Sequence, residues 1–263
     1  MGNVTSTSIA SALNLKHYGD KLTICGVCSL GYIQPGGMYF AEHFHEETVE
    51  RINNFENSVA IVSQEYSGKI KTTHTVSQNP RYAFAKMFSV FFPPTDTQAV
   101  IGDGSVVEKG AVIKNAVIGR NCIIKANAVI GSKGFSFAKD DHGRPFAMPH
   151  KGRVIIGDNC EIGACTTIVR GVIEDTVLGD YVKLDDHVHV AHNCRIGDNT
   201  LITACAEISG SVLIGRDVWI APNVSVSGHI VIDDEAYICI GTAVGKDIEK
   251  GQRVIGKTCR IIK

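Results

Sequence analysis

No run of eighteen apolar residues occurs in this chain, so no segment is expected to cross a membrane as a helix. The N-terminus lacks the apolar stretch of a secretory leader, and "MGNVTS" meets only the loosest myristoylation pattern at Gly2. A cytoplasmic location is therefore expected. An excess of one charge is missing too: 26 Lys+Arg stand against 27 Asp+Glu, a formal net charge of −1. That balance offers no electrostatic reason to expect nucleic acid or a membrane surface as partner. A second CxxC is also lacking, so "CGVC" at Cys25–Cys28 cannot complete a four-thiolate zinc site. What remains is a chain of 263 residues, long enough for one large or two modest domains.

What is present is a rhythm. Apolar residues fall at 178, 184, 190, 196, 202, 208, 214, 220, 226, 232, 238 and 244, twelve consecutive hits at period six. Shorter runs sit at 101, 107, 113, then 118, 124, 130, then 156, 162, 168. Neither a helix nor an alternating strand has period six, but a hexapeptide β-helix does. Each hexapeptide is expected to form one flat side of a triangular prism, with its aliphatic residue pointing inward and stacked on the coil above. Gly102, Gly119, Gly157, Gly179, Gly197 and Gly215 each follow such a residue. A left-handed backbone conformation at the turn is the expected reason. Cys122, Cys160 and Cys194 share the fourth place after the aliphatic residue with Ala111, Ala128, Thr200, Ala206 and Val212. There a thiol serves as a small buried apolar group in a reducing compartment.

The rhythm breaks twice. The gap from 130 to 156, which contains "GSKGFSFAKDDHGRPFAMPHKGR" (131–153), exceeds six by twenty residues, and that from 168 to 178 by four. Long excursions from a rigid scaffold often carry function, and the first is expected to touch substrate or a neighbouring subunit. Residues 1–98 lack the period. "STSIASALNL", "HEETVERI" and "RYAFAKMF" predict helices, "LTICGV" and "SVAIVS" strands. The expected architecture is mainly β: a small α/β domain over 1–98, a parallel β-helix over 99–255 with a loop at 131–153, and a tail, 256–263.

Four histidines crowd the scaffold: His187, His189 and His192 in "HVHVAH", and His229 in "VSGH". His187 and His192, five apart, leave a zinc reading open, with His150 as third ligand, although a catalytic zinc needs three ligands and water. The competing reading is base catalysis. His192 lies two places and His229 three places after its aliphatic residue, so both fall near one corner, two coils and one residue apart. With coils spaced like adjacent strands, that is roughly 10 Å along the axis. Exposed histidines with ordinary hydrogen bonds are the plain alternative.

"GFSFAKDDHGRP", "MPHKGRVIIGDNCEIGACTTI", "VAHNCRIGDNT" and "SGH" occur in an order that resembles the N-acyltransferase family acting on UDP-3-O-acylglucosamine in lipid A synthesis. "GVCSL", "GGMYF" and "NPRYAFAKMF" resemble that family's nucleotide-binding domain, so the resemblance reaches nearly the whole chain. It implies a left-handed β-helix and a homotrimer with sites in the grooves between subunits. By the same resemblance His192 is the general base, Asp185 a carboxylate that orients or tunes it, and the Gly210 N–H an oxyanion donor. Phe40, His43, Phe135, His150, Asn193 and His229 are implied in substrate binding, and Gly210 and Gly228 in holding the acyl donor. Nothing in it asks for a metal.

Departures from the family sharpen the expectation. His43 and Glu46 replace the family's Asn and Tyr after the strand Phe, which opens dTDP beside UDP as the nucleotide. Val169 stands where the family usually carries Asp. After the coils end near 250 only "IGKTCRIIK" follows, where the family has a helical extension that engages acyl carrier protein. A short acyl-CoA is therefore the expected donor, and a nucleotide-linked amino sugar of surface-glycan synthesis the acceptor. The alternatives are a shortened lipid A enzyme using acyl carrier protein, and a non-catalytic nucleotide-sugar-binding scaffold.

Overall fold

The computed structural model describes residues 4–42 and 45–256. Its contacts divide the chain into two units, Met1–Pro94 with Phe135–Pro149, and Thr95–Gly134 with His150–Lys263. Most of the excursion expected to leave the coils as a loop thus packs with the N-terminal residues.

The N-terminal unit contains α1 (Ser6–Ala12), β1 (Lys16–Tyr18), β2 (Gly26–Val27), β3 (Gly37–Phe40), α2 (Glu46–Asn53), β4 (Val59–Val62), α3 (Gln64–Ser67), β5 (His74–Val76) and α4 (Pro80–Phe91). The sheet order is β1-β5-β4-β3-β2, with β1 antiparallel to β5 and the rest parallel. Helix starts follow local chemistry. Thr5 and Ser8 form a reciprocal capping box on α1, while Asn79 caps the Tyr82 N–H ahead of Pro80 on α4. "LTICGV" contributes only the two residues of β2 as strand. A hairpin, Phe137–Lys139 with Pro145–Ala147, joins this unit through a Tyr82–Phe146 ring contact at 5.4 Å and an Asn79 Nδ2–Lys139 O bond of 2.8 Å.

The second unit is a parallel β-helix of three sheets with seven, eight and seven strands. Ile118, Ile156, Leu178, Ile196, Ile214 and Ile232 stack on the first face. Ile130, Ile168, Val190, Ile208 and Val226 stack on the third. Both excesses of length are absorbed between coils without disturbing the stack, since Ile118 pairs with Ile156 and Ile156 with Leu178. These aliphatic columns are buried and form one continuous core. Ile202 sits mid-column between Leu184 and Ile220. Ile202→Ala should cost about 2–5 kcal/mol, because neighbours one coil away on either side cannot close the gap. A denaturant midpoint measured against the parent protein checks this.

The corners correct the expected role of glycine. None of Gly102, Gly119, Gly157, Gly179, Gly197 or Gly215 has positive φ. The left-handed residue is instead the third after each aliphatic one, as at Asn121, Asn159, His187, Asn193, Asn199 and His229. Asn tolerates that region through its short polar side chain. The glycines serve close approach. A Cβ on Gly119 would lie 2.5 Å from both Gly157 O and Asp158 Oδ1. That carboxylate accepts the Arg120 N–H at 2.7 Å, and Asp180 and Asp198 repeat the pattern one coil at a time.

The fourth-place slot is also more than apolar filling. Cys122, Cys160 and Cys194 donate their thiols to carbonyls of the next coil at 3.1–3.2 Å, as the Thr200 hydroxyl does at 2.9 Å. Burial pushes the Cys160 thiol up to about 12 and that of Cys194 up to about 11, so both stay protonated and inert.

Candidate active site

His192 leaves the third face of the coil two residues after buried Val190, and Gly210 lies one coil further on. The two are in intimate contact. A Cβ on Gly210 would stand 2.6 Å from His192 Cε1 and 2.9 Å from Nε2, so the imidazole occupies the space a side chain would need. One coil beyond, a Cβ on Gly228 would meet only Gly210 O at 3.1 Å and the Ser209 Cβ at 4.0 Å. A strip of bare backbone therefore runs from the ring along the axis. The Gly210 N–H donates to no acceptor among the described residues, whereas its carbonyl accepts the His229 N–H at 3.1 Å. That bond brings exposed His229 to the corner where its spacing places it.

Three further candidates make hydrogen bonds within the protein. Asn193, expected to touch substrate, spends its side chain inside the protein. Its Oδ1 accepts the Val172 N–H at 3.2 Å and lies 3.0 Å from His192 Nδ1, while its Nδ2 donates to Glu174 O at 3.0 Å. His150, also expected at the substrate, is 1% exposed. Its Nε2 accepts the Gly134 N–H at 3.2 Å, and its ring stands edge-on to His192 with centroids 6.1 Å apart. Buried Arg170 donates to Gly152 O at 2.6 Å and Lys151 O at 3.0 Å, so the coil pins the returning end of the long excursion. Asp185, expected to orient the base, sits on the preceding corner with His187. Its carboxylate caps the N–H groups of Asp186 at 2.8 Å and Ala204 at 3.1 Å. It terminates backbone there because a coil corner leaves N–H groups without strand partners.

Other candidates lie in the N-terminal unit. Phe40 ends β3, half-buried, with its ring 5.0 Å from that of Phe84. His43 lies outside the described residues. Phe135 is 92% exposed and leans on Phe137 at 4.9 Å. A cavity of about 360 Å³ opens at the ends of β4 and β5, lined by Lys16, Gln64, Gln78, Asn79, Tyr82 and Lys86 among others, and Phe40 is not part of its wall. Sequence reasoning missed this cavity, because strands as short as β1 and β5 leave little signal. Among the described residues no three His, Cys, Asp or Glu side chains converge as a metal site requires. His187 and His192 stand at different corners, so their spacing no longer favours zinc.

Residues 98–132 and 175–210 match the bacterial transferase hexapeptide (six repeats), and 153–184 and 194–227 match the hexapeptide repeat of succinyl-transferase. The coil unit carries these matches over most of its length. It is a left-handed parallel β-helix. The chain is similar to the UDP-3-O-acylglucosamine N-acyltransferase of Campylobacter lari, 44% identical over 127 residues, which cover 48% of this chain and 40% of that protein. The Bordetella pertussis protein of the same name is 45% identical over 130 residues, covering 48% and 36%. Among solved structures, a UDP-N-acetylglucosamine acyltransferase from Bacteroides fragilis aligns with TM-score 0.50 and 27% identity over 57% of this chain and 56% of its own. The likeness expected over nearly the whole chain thus covers about half of it. The chain in turn matches about two fifths of the length of its curated relatives. Within the coil, the motif Ala-His-Asn supplies both His192 and the Asn193 that the ring leans on.

Proposed function

We propose that the protein transfers a short acyl group, acetyl or 3-hydroxyacyl, from a CoA thioester to the amine of a nucleotide-linked amino sugar. The observation that carries this reading is the imidazole of His192 held against the bare backbone of Gly210, on a coil similar to that of named amino-sugar N-acyltransferases. An amino sugar is largely protonated at neutral pH and its nitrogen must lose protons to form an amide. An imidazole, with an ordinary pKa of about 6.5, is suited to accept one. As the free amine attacks the thioester carbonyl, His192 takes the proton from nitrogen. The Gly210 N–H donates to the oxygen that gains charge. The tetrahedral adduct then breaks its C–S bond, and the departing thiolate takes the proton from the imidazolium.

In this reading the pantetheine arm lies along the Gly210–Gly228 strip, the α/β unit with Phe40 holds the nucleotide, and the enzyme works as a cytoplasmic homotrimer whose neighbouring subunits wall the grooves. The chemistry asks for no metal. Similarity to enzymes named for UDP-3-O-acylglucosamine favours a second version, the same transfer onto a UDP sugar from an acyl carrier protein.

The test is thiol release from acetyl-CoA and 3-hydroxybutyryl-CoA, with UDP- and dTDP-linked amino sugars as acceptors and acceptor-free controls. Amine-dependent release with one of these sugars is expected. Release only with acyl carrier protein thioesters selects the second version. Nucleotide-sugar binding without turnover of either donor sinks both and leaves a scaffold.

A further inference from the structure

Histidine acts as a base only through the nitrogen that lacks a proton, and the two ring nitrogens of His192 face different surroundings. Nδ1 lies 3.0 Å from Asn193 Oδ1, while Nε2 and Cε1 lie on the side toward Gly210. Which nitrogen is protonated turns on which end of the Asn193 amide is oxygen. That end is set without reference to the histidine. The Val172 N–H can only donate, and it points at one end of the amide at 3.2 Å. Glu174 O can only accept, and it takes the other end at 3.0 Å. The end against His192 is therefore the oxygen, and Nδ1 carries the proton.

The clamp is built by the smaller of the two breaks in the hexapeptide period. Val172 and Glu174 belong to the four-residue excess between Ile168 and Leu178, which folds over the corner at Asn193. Thr176, buried at the end of that turn, accepts the Asn193 backbone N–H at 2.9 Å. Gly171 gives the turn room, since a Cβ there would meet the backbone of Glu174 and lie 3.1 Å from Asn193 Nδ2. Asn193 itself has φ of 62°, a conformation Asn and Gly accept and other side chains resist.

We propose that Asn193, clamped by the turn at 171–174, is a positioning residue that holds His192 as its Nδ1–H tautomer with the Nε2 lone pair directed at the Gly210 strip. This rests on the reading of His192 as the base, and it gives the four-residue excess a purpose. An acid–base residue on a rigid coil thereby has its tautomer chosen by a neutral amide. A neutral partner also leaves the imidazolium less stabilised than a carboxylate would, which eases return of the proton to the leaving thiolate.

The test uses Asn193→Gly, which removes the amide while keeping a residue content with positive φ, and Asn193→Asp, which puts a charge against Nδ1. Nitrogen-15 spectra of histidine-labelled protein report the His192 tautomer whether or not the protein turns over substrate, with His192→Gln assigning the signal. In the parent the Nδ1–H form is expected, and in Asn193→Gly the Nε2–H form becomes populated. The kcat of Asn193→Gly should fall about 10- to 100-fold with little change in KM, below the roughly 10²–10⁴-fold that a positioned base supplies in full. Asn193→Asp should move the acid limb of the kcat/KM profile to higher pH, because a carboxylate favours the charged ring. Gly171→Ala, which disturbs only the clamp, should reproduce the tautomer change in part. An unchanged tautomer in Asn193→Gly overturns the proposal, as does an Nε2–H ring in the parent. Full activity of a His192 variant overturns the base assignment instead, and the spectra still decide the clamp.

Discussion

His192→Ala should lower kcat by about 10²–10⁴-fold while the protein folds and melts like its parent. The reason for the split lies in the coil. Stability comes from inward residues such as Val190 and Ile208, both buried, whereas the His192 ring is outside that core and only half-buried. Removing it leaves the column intact. The Asn193 oxygen keeps its bond from the Val172 N–H, so that acceptor is not orphaned. Steady-state turnover on the acceptor identified by thiol release, read beside a thermal melt, checks both halves. Near-parental kcat would remove His192 from the chemistry.

Gly210→Ala is the second large effect, and here nothing reactive is deleted. Gly210 does not have positive φ, so alanine is compatible with its backbone. Its new Cβ, however, would stand 2.6 Å from His192 Cε1, well inside ordinary carbon contact. The imidazole must give way by about an ångström, and displacement of that size costs about 10²-fold in a positioned reaction. The N–H that would face the oxyanion survives the change. A variant that keeps its fold and loses kcat would therefore report on the base alone. Retention of full kcat would show that the ring does not work from this position. Gly228→Ala, which meets nothing nearer than 3.1 Å, separates crowding of the ring from blocking of the strip: the strip model expects it to raise the KM for the thioester.

Glycine illustrates why some features were legible in the sequence and others were not. Period six needs only the identity of one residue in each hexapeptide, and burial enforces that identity at every coil, so it survives as a pattern. A glycine's presence is equally visible, but its cause is not. At Gly119 it admits the carboxylate of Asp158, and at Gly210 it admits an imidazole. Spacing also placed His192 and His229 at one corner correctly, because in a coil of fixed rise a position in sequence is a position in space. The same logic does not reach His150. It lies beyond an excursion in which the count is lost, and only the hydrogen bond from Gly134 and the ring contact show that it returns beside His192.

By itself, then, the sequence determined the coil: its inward columns, the two breaks in its rhythm and the presence of an imidazole at an outer corner. Each follows from short-range repetition under the constraint of burial. Tertiary structure alone decided what the polar residues do. Asp185 caps backbone at one corner, Asn193 is held by a turn that its own sequence neighbours do not contain, and the central part of the long excursion belongs with the N-terminal unit. Those outcomes depend on hydrogen bonds between residues about twenty positions apart or more. The donors and acceptors involved are largely backbone groups that every residue carries, so no choice of side chain announces them in advance.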